Sequence, residues 1–159
     1  LGMMDRLGIP RAHLLGYSLG GNVAFYCAVR CPEKVQTLTT IGAIGFACPT
    51  GADDYEPEQL IKNGQQPLID RMIANHRDAH RGNWQEFMRQ SARDWRLYPQ
   101  LTVEQLSSIA CPALFIAGEK DSYAREEQLK YLCSLVKGSR YRTWAVADEL
   151  RRSPEVVAP

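Results

Sequence analysis

No run of 18 apolar residues occurs in the sequence, so no segment is suited to crossing a membrane. No basic block occurs either: 19 Lys and Arg are scattered against 18 Asp and Glu, a formal net charge of +1. A chain balanced in this way has no stripe for a phosphate backbone, which excludes nucleic acid as the expected partner. Cysteine is present but not organised. The five thiols, Cys27, Cys31, Cys48, Cys111 and Cys133, are odd in number and show no Cys-x-x-Cys spacing, so neither a disulfide framework nor a zinc site is expected. Three of them lie in apolar stretches, as do reduced, partly buried thiols of a cytoplasmic protein. Residues 1–11 lack the charged start and apolar stretch of a secretory signal. Position 1 is Leu rather than Met, as in a piece of a longer chain. Histidine is limited to His13, His76 and His80.

What is present is an ordinary globular balance of 45% hydrophobic and 23% charged residues in 159, enough for about one domain. Ala12 to Tyr17 is a short apolar run that ends in a glycine-rich turn. Gly20 to Arg30 predicts a helix, with Val23, Ala24, Cys27 and Ala28 at three-and-four spacing and Pro32 just past its end. Val35 to Ile41 is rich in β-branched residues and predicts a strand. Gly42 to Pro57 predicts a loop. Leu68, Ile69, Met72 and Ile73 then share one helical face, and Trp84, Phe87, Met88 and Trp95 share another. Ala113 to Ala117 predicts a strand, Glu126 to Val136 a helix and Tyr141 to Val146 a last strand. No internal repeat or low-complexity segment interrupts this order. Strands alternating with helices predict an α/β fold with a mostly parallel sheet flanked by helices. The expected organisation is a core over 1–44, a helical insertion over 45–108, and a return to the core over 109–159.

The sharpest chemical feature is Gly16-Tyr17-Ser18-Leu19-Gly20, a Gly-x-Ser-x-Gly sequence between an apolar strand and a helix. That context is the one a nucleophile elbow requires. The bend is tight enough to strain the backbone of Ser18, and Gly16 and Gly20 are expected there because side chains would collide. Gly21 is expected to let the helix lie close to the strand. Ser18 Oγ would stand at a helix N-terminus, where developing negative charge is favoured, and the Leu19 amide would be one oxyanion donor. A dinucleotide fingerprint is ruled out because position 18 is Ser rather than Gly, and a P-loop because Asn22 and Val23 follow Gly21. A second feature is Asp121, just beyond the strand that ends near Gly118, where a triad acid sits in such sheets. The order Ser then Asp agrees with the order Ser, Asp, His.

With these residues the sequence resembles the α/β-hydrolase superfamily. Gly-Tyr-Ser-Leu-Gly-Gly looks like the elbow after that fold's fifth strand, and Cys111-Pro-Ala-Leu-Phe-Ile-Ala-Gly-Glu-Lys-Asp121 looks like its seventh strand and acid turn. The insertion is similar to a helical cap, whose Trp84, Phe87, Met88 and Trp95 would be candidate pocket walls or plain packing residues. The resemblance implies a partial α/β-hydrolase fold and a serine hydrolase cleaving esters, thioesters or similar acyl bonds of a small molecule. It implies no cofactor and no metal. Ser18 and Asp121 would be catalytic, Leu19 would serve the oxyanion, and Gly16, Tyr17 and Gly20 would form the elbow.

The chain also departs from the family. No histidine follows Asp121; Asp148 and Glu149 occupy the region where one is expected. His13 lies five residues before Ser18 on the same strand, well below it at about 3.3 Å per residue. His76 and His80 are expected to be solvated on the insertion. Without a general base Ser18 is a weak nucleophile, and loss of the histidine from subtilisin costs about 10⁶ in kcat. Only 17 residues precede Ser18, where the family has four strands and the loop that gives a second oxyanion amide. A truncated chain is the expectation, with the elbow strand left as a sheet edge open to self-association. The alternative is a non-catalytic α/β-hydrolase-like module that binds a ligand or partner.

Overall fold

Leucine-rich and β-branched stretches make the strands over 12–17, 35–41 and 113–118, and Gly42 and Gly118 close the latter two. The computed structural model describes residues 2–47 and 51–145, so Cys48 and the expected strand end at Val146 lie outside the described residues. The chain divides into two compact units, Leu1–Phe46 with Gln100–Pro159, and Ala47–Pro99. The first carries a sheet and the second is helical.

In the sheet unit, a short helix α1 (Gly2–Arg6) precedes β1 (Ala12–Tyr17), α2 (Leu19–Arg30) and β2 (Val35–Ile41). The strands and helix follow the sequence pattern closely; the sequence reading has no counterpart for α1. All strands run parallel in the order β1-β2-β3-β4, where β3 is Ala113–Gly118 and β4 is Arg140–Trp144. Tyr17 pairs with Ile41, and Ile41 with Ile116, so these strands end together at one carboxyl edge. The core forms on one face, from buried Leu38 on β2 and Phe115 on β3. Phe25 of α2 stacks on Phe115 with ring centroids 5.4 Å apart. The last helix of the unit (Glu126–Leu135) lies on the same face, where the Tyr141 hydroxyl donates to Glu126 Oε1 at 3.2 Å.

The opposite face stays open among the described residues. Register places Leu15, Thr39, Leu114 and Arg140 in one row and Tyr17, Ile41, Ile116 and Arg142 in the next. Leu15 and Tyr17 are 70% and 72% exposed, and Trp144 at the end of β4 is 58% exposed. Parallel sheets bury both faces as a rule, so this surface is unusual for its class. No described helix is long and apolar enough to cross a membrane.

The helical unit opens with a 3-10 turn (Ala52–Tyr55) and continues as α3 (Pro57–Lys62), α4 (Gln66–His80) and α5 (Trp84–Leu97). Leu60, Ile69, Met72 and Met88 form its centre, with Leu68, Trp84, Phe87 and Trp95 packed around them. Asn83 caps α5 by accepting from the Glu86 amide at 3.0 Å. Arg96 bridges Asp53 at 2.7 Å and Glu56 at 2.6 Å, and Arg89 meets Glu58 at 2.5 Å. One sequence expectation fails here. His80 is not solvated: it is 8% exposed, and neither ring nitrogen has a hydrogen-bond partner. It faces Phe87 at 5.7 Å because the one-turn spacing that pairs it with His76 sets both on the side toward α5.

This helical unit is narrower than the insertion read from the sequence. Leu101, Leu106 and Ile109 are buried in the sheet unit, which takes up the chain again at Gln100. There α6 (Val103–Ser107) is closed by a capping box between Thr102 and Gln105, and the Glu126–Leu135 helix completes the set as α7.

Candidate active site

Ser18 has φ +50° and ψ −120°, a left-handed conformation that a serine seldom adopts. Two ties impose it. The Ser18 amide donates to the Ile41 carbonyl at 2.8 Å, which extends the β1–β2 ladder one residue past the strand. The Ser18 carbonyl then accepts from Gly21 and Asn22 at 2.9 and 3.2 Å, which starts α2 at once. Chain that leaves a ladder and enters a helix within one residue has no room for an ordinary turn. Strain of this kind costs of order 1–3 kcal/mol and persists only where the surroundings over-determine it.

The glycines explain how the bend closes. A methyl group on Gly16 would fall on the Gly20 carbonyl, with backbone on every side, so no side chain fits there. On Gly21 it would lie 2.5 Å from Ala43 Cβ in the loop after β2 and 3.1 Å from the Gly16 carbonyl oxygen of β1, so helix and strand approach closely at that position. Gly20 corrects the sequence reading. Nothing lies within 4 Å of a methyl group built there, so no collision demands glycine at 20. Its carbonyl is the obstacle at Gly16; its own side chain would point to solvent.

Serine at this position usually caps the helix with its hydroxyl. Ser18 makes no such bond, and its side chain is exposed. The hydroxyl is therefore available at the N-terminal end of the 12-residue helix α2. Leu19 opens that helix, among the amides that have no intrahelical acceptor.

Asp121 stands three residues past the end of β3. Its Oδ1 accepts from the amides of Tyr123 and Ala124 at 2.8 and 2.9 Å, which fixes the carboxylate in an Asx-type turn. Its Oδ2 faces Gly42, the residue directly after β2: a methyl group on Gly42 would come within 3.2 Å of that oxygen. Gly42 has φ +62° and donates its amide to Ile116 at 2.9 Å. Ser18 and Asp121 thus rise from the same sheet edge, on strands two places apart, or about 10 Å at ordinary strand spacing. That leaves the carboxyl end of β2, the strand between them, as the place where a bridging imidazole would stand.

His13 does not fill it. It lies near the amino end of β1, exposed, with Nδ1 2.9 Å from Thr37 Oγ1. The sequence reading missed Gly42 and Gly45 as parts of this region. The signal is a glycine directly after a β-branched strand, Ile41-Gly42, where a positive φ lets the chain pass close to a neighbour. The four described cysteines are free thiols. Among the described residues no group of three His, Cys, Asp or Glu side chains has the placement to hold a metal ion.

Residues 2–59, from α1 through the elbow to the start of α3, match the family model of the alpha/beta hydrolase fold. A 2-hydroxymuconate semialdehyde hydrolase of Pseudomonas putida is 38% identical over 52 residues, 33% of this chain and 18% of that protein. A pimeloyl-[acyl-carrier protein] methyl ester esterase of Neisseria meningitidis is 29% identical over a match that covers 81% of this chain and 59% of the esterase. Among solved structures, the enol-lactonase from Burkholderia xenovorans LB400 superposes with a TM-score of 0.67 at 22% identity, over 91% of this chain and 61% of that one. The chain therefore spans at most about three fifths of the length of these relatives. With its four described parallel strands, its serine bend and its acid turn, the chain has a partial α/β-hydrolase fold, and its residues 2–59 match the model of that family.

Proposed function

We propose that the chain carries the nucleophile and acid of a serine hydrolase acting on ester, thioester or similar acyl bonds of a small molecule; no histidine among its 159 residues follows Asp121, so the reading calls for a histidine base from outside them. With that histidine in place, Ser18 Oγ would attack the acyl carbon, the serine proton would pass to the histidine, and the carbonyl oxygen would take up the negative charge. The Leu19 amide donates to that oxyanion, and Asp121 orients the base. Donors of this type are worth about 10²–10³ in kcat when placed where the charge develops. No cofactor enters the reaction.

The observation that carries this reading is the left-handed backbone of Ser18, with its hydroxyl unused by the helix it heads. A second reading, a non-catalytic module that binds a ligand or partner, is favoured by one fact: no histidine follows Asp121. An alkyl fluorophosphonate separates the two. Covalent labelling that disappears in Ser18→Ala supports the hydrolase. Intact mass without adduct after prolonged exposure, with free imidazole added in place of the absent base, supports the binding module.

A further inference from the structure

The loop from Gly42 to Phe46 connects the two halves of the site, and its anchor is a side chain outside the motif. Asn22 closes the first turn of α2, four residues past Ser18, and is 9% exposed. Its Oδ1 accepts from the Gly45 amide at 3.2 Å, a buried bond. Gly45 has φ +72° and lies on Phe25, where a methyl group would come 2.9 Å from the ring. Its carbonyl accepts from Leu101 at 3.1 Å. Gly45 is thus held by α2 from beneath and by the returning chain, and Ala43 and Ile44 between it and Gly42 are fully buried. The other end of the loop, Gly42, lies against the Asp121 carboxylate.

We propose that Asn22 is a positioning residue: through Gly45 it sets the height of the 42–46 loop above α2, and through Gly42 the place of the Asp121 carboxylate relative to Ser18. The proposal rests on the hydrolase reading for its purpose, but not for its geometry. Asn22 touches neither reacting atom. A helix carrying the serine and a turn carrying the acid belong to different crossovers, and each can shift on its own. One buried hydrogen bond ties the helix to the 42–46 loop, whose Gly42 end lies against the acid, and so links the two displacements. A misplacement of about 1 Å at a catalytic group can cost about 100-fold in rate, so such a tie has leverage.

Three variants test it. Asn22→Ala removes the acceptor, Asn22→Leu keeps the volume without it, and Asn22→Asp keeps both shape and acceptor. Amide hydrogen exchange is read at Gly45 and at Tyr123 and Ala124, whose amides hold Asp121, with β4 as internal control. In Asn22→Ala and Asn22→Leu, exchange is expected to quicken about 5- to 10-fold at both places and to stay unchanged in β4; in Asn22→Asp it returns toward wild type. Faster exchange at Gly45 with Tyr123 and Ala124 unmoved overturns the proposal, and so does full rescue by Asn22→Leu. Exchange needs no turnover, so this result stands whether or not Ser18 is reactive. Where wild-type Ser18 labels with a fluorophosphonate, labelling of the Ala and Leu variants slows about 10- to 100-fold at unchanged Tm, with rescue by Asp; equal labelling rates also overturn it.

Discussion

The two units of this chain respond to opposite insults. The sheet unit is organised around places where an extra carbon atom cannot be admitted: Gly16 under the Gly20 carbonyl, Gly21 against Ala43, Gly45 on the Phe25 ring. The helical unit is organised around places where carbon atoms must be supplied: Met88, Leu60, Ile69 and Met72 meet at its centre, and its outer contacts are ion pairs. One unit holds its shape by backbone approach, the other by filled volume. A motif made of backbone approach is written in consecutive residues. A filled volume is assembled from residues far apart and tolerates many solutions.

The comparison breaks most sharply at Gly16. Gly16→Val is expected to give no folded sheet unit, or to lower stability by more than about 3 kcal/mol in urea titration, because its neighbours are all backbone. Gly20→Ala is the control: the space is open and the site helical, so a change of no more than about 1 kcal/mol is expected, toward greater stability. Equal damage from both would dissolve the contrast. Next in size is Met88→Ala, with an expected loss of about 2–5 kcal/mol by cavity formation, against less than about 1.5 kcal/mol for Met88→Leu. Exchange or proteolysis should place that loss between 51 and 99, with β1–β3 spared.

The smallest effect belongs to the outer ion pairs. The hydrogen bond from Arg89 holds the Glu58 carboxyl below its ordinary value of 4.5, aided by its own backbone bond. A carboxyl with a lowered value in the folded state stabilises above its unfolded value and loses that contribution as pH falls through the folded one. The Tm difference between wild type and Arg89→Gln should therefore be present at neutral pH and shrink through the acidic carboxylate range. About 1 M salt should erase it, since both groups are solvated. A difference that survives acid and salt would mean that the guanidinium acts by packing.

The strands β1, β2 and β3 and the helices α2, α4, α5 and α7 were legible because each announces itself within a dozen residues. The serine bend was legible for the same reason, since ladder and helix abut at Ser18. Gly20 was read with the right residue and the wrong cause: its glycine neighbours the collision at Gly16 without taking part in it. The burial of His80 was not legible, because it depends on Phe87 arriving from the next helix. Asn22 and Gly45 were missed for a similar reason, being joined across 23 residues by a bond that no local pattern encodes. α6 was assigned to the insertion because Leu101, Leu106 and Ile109 look alike in either surrounding; contact with the sheet unit decides their place.

The open face of the sheet carries a rule of direction. Parallel crossovers are right-handed almost without exception. The steps β1 to β2 and β3 to β4 both travel the same way along the strand order, and α2 and α7 accordingly share a side. A crossover helix between parallel strands that shields Leu15, Tyr17 and Trp144 would run the reverse way along the strand order, toward β1. The handedness of a single turn of chain thus sets the heading of any crossover that roofs that surface.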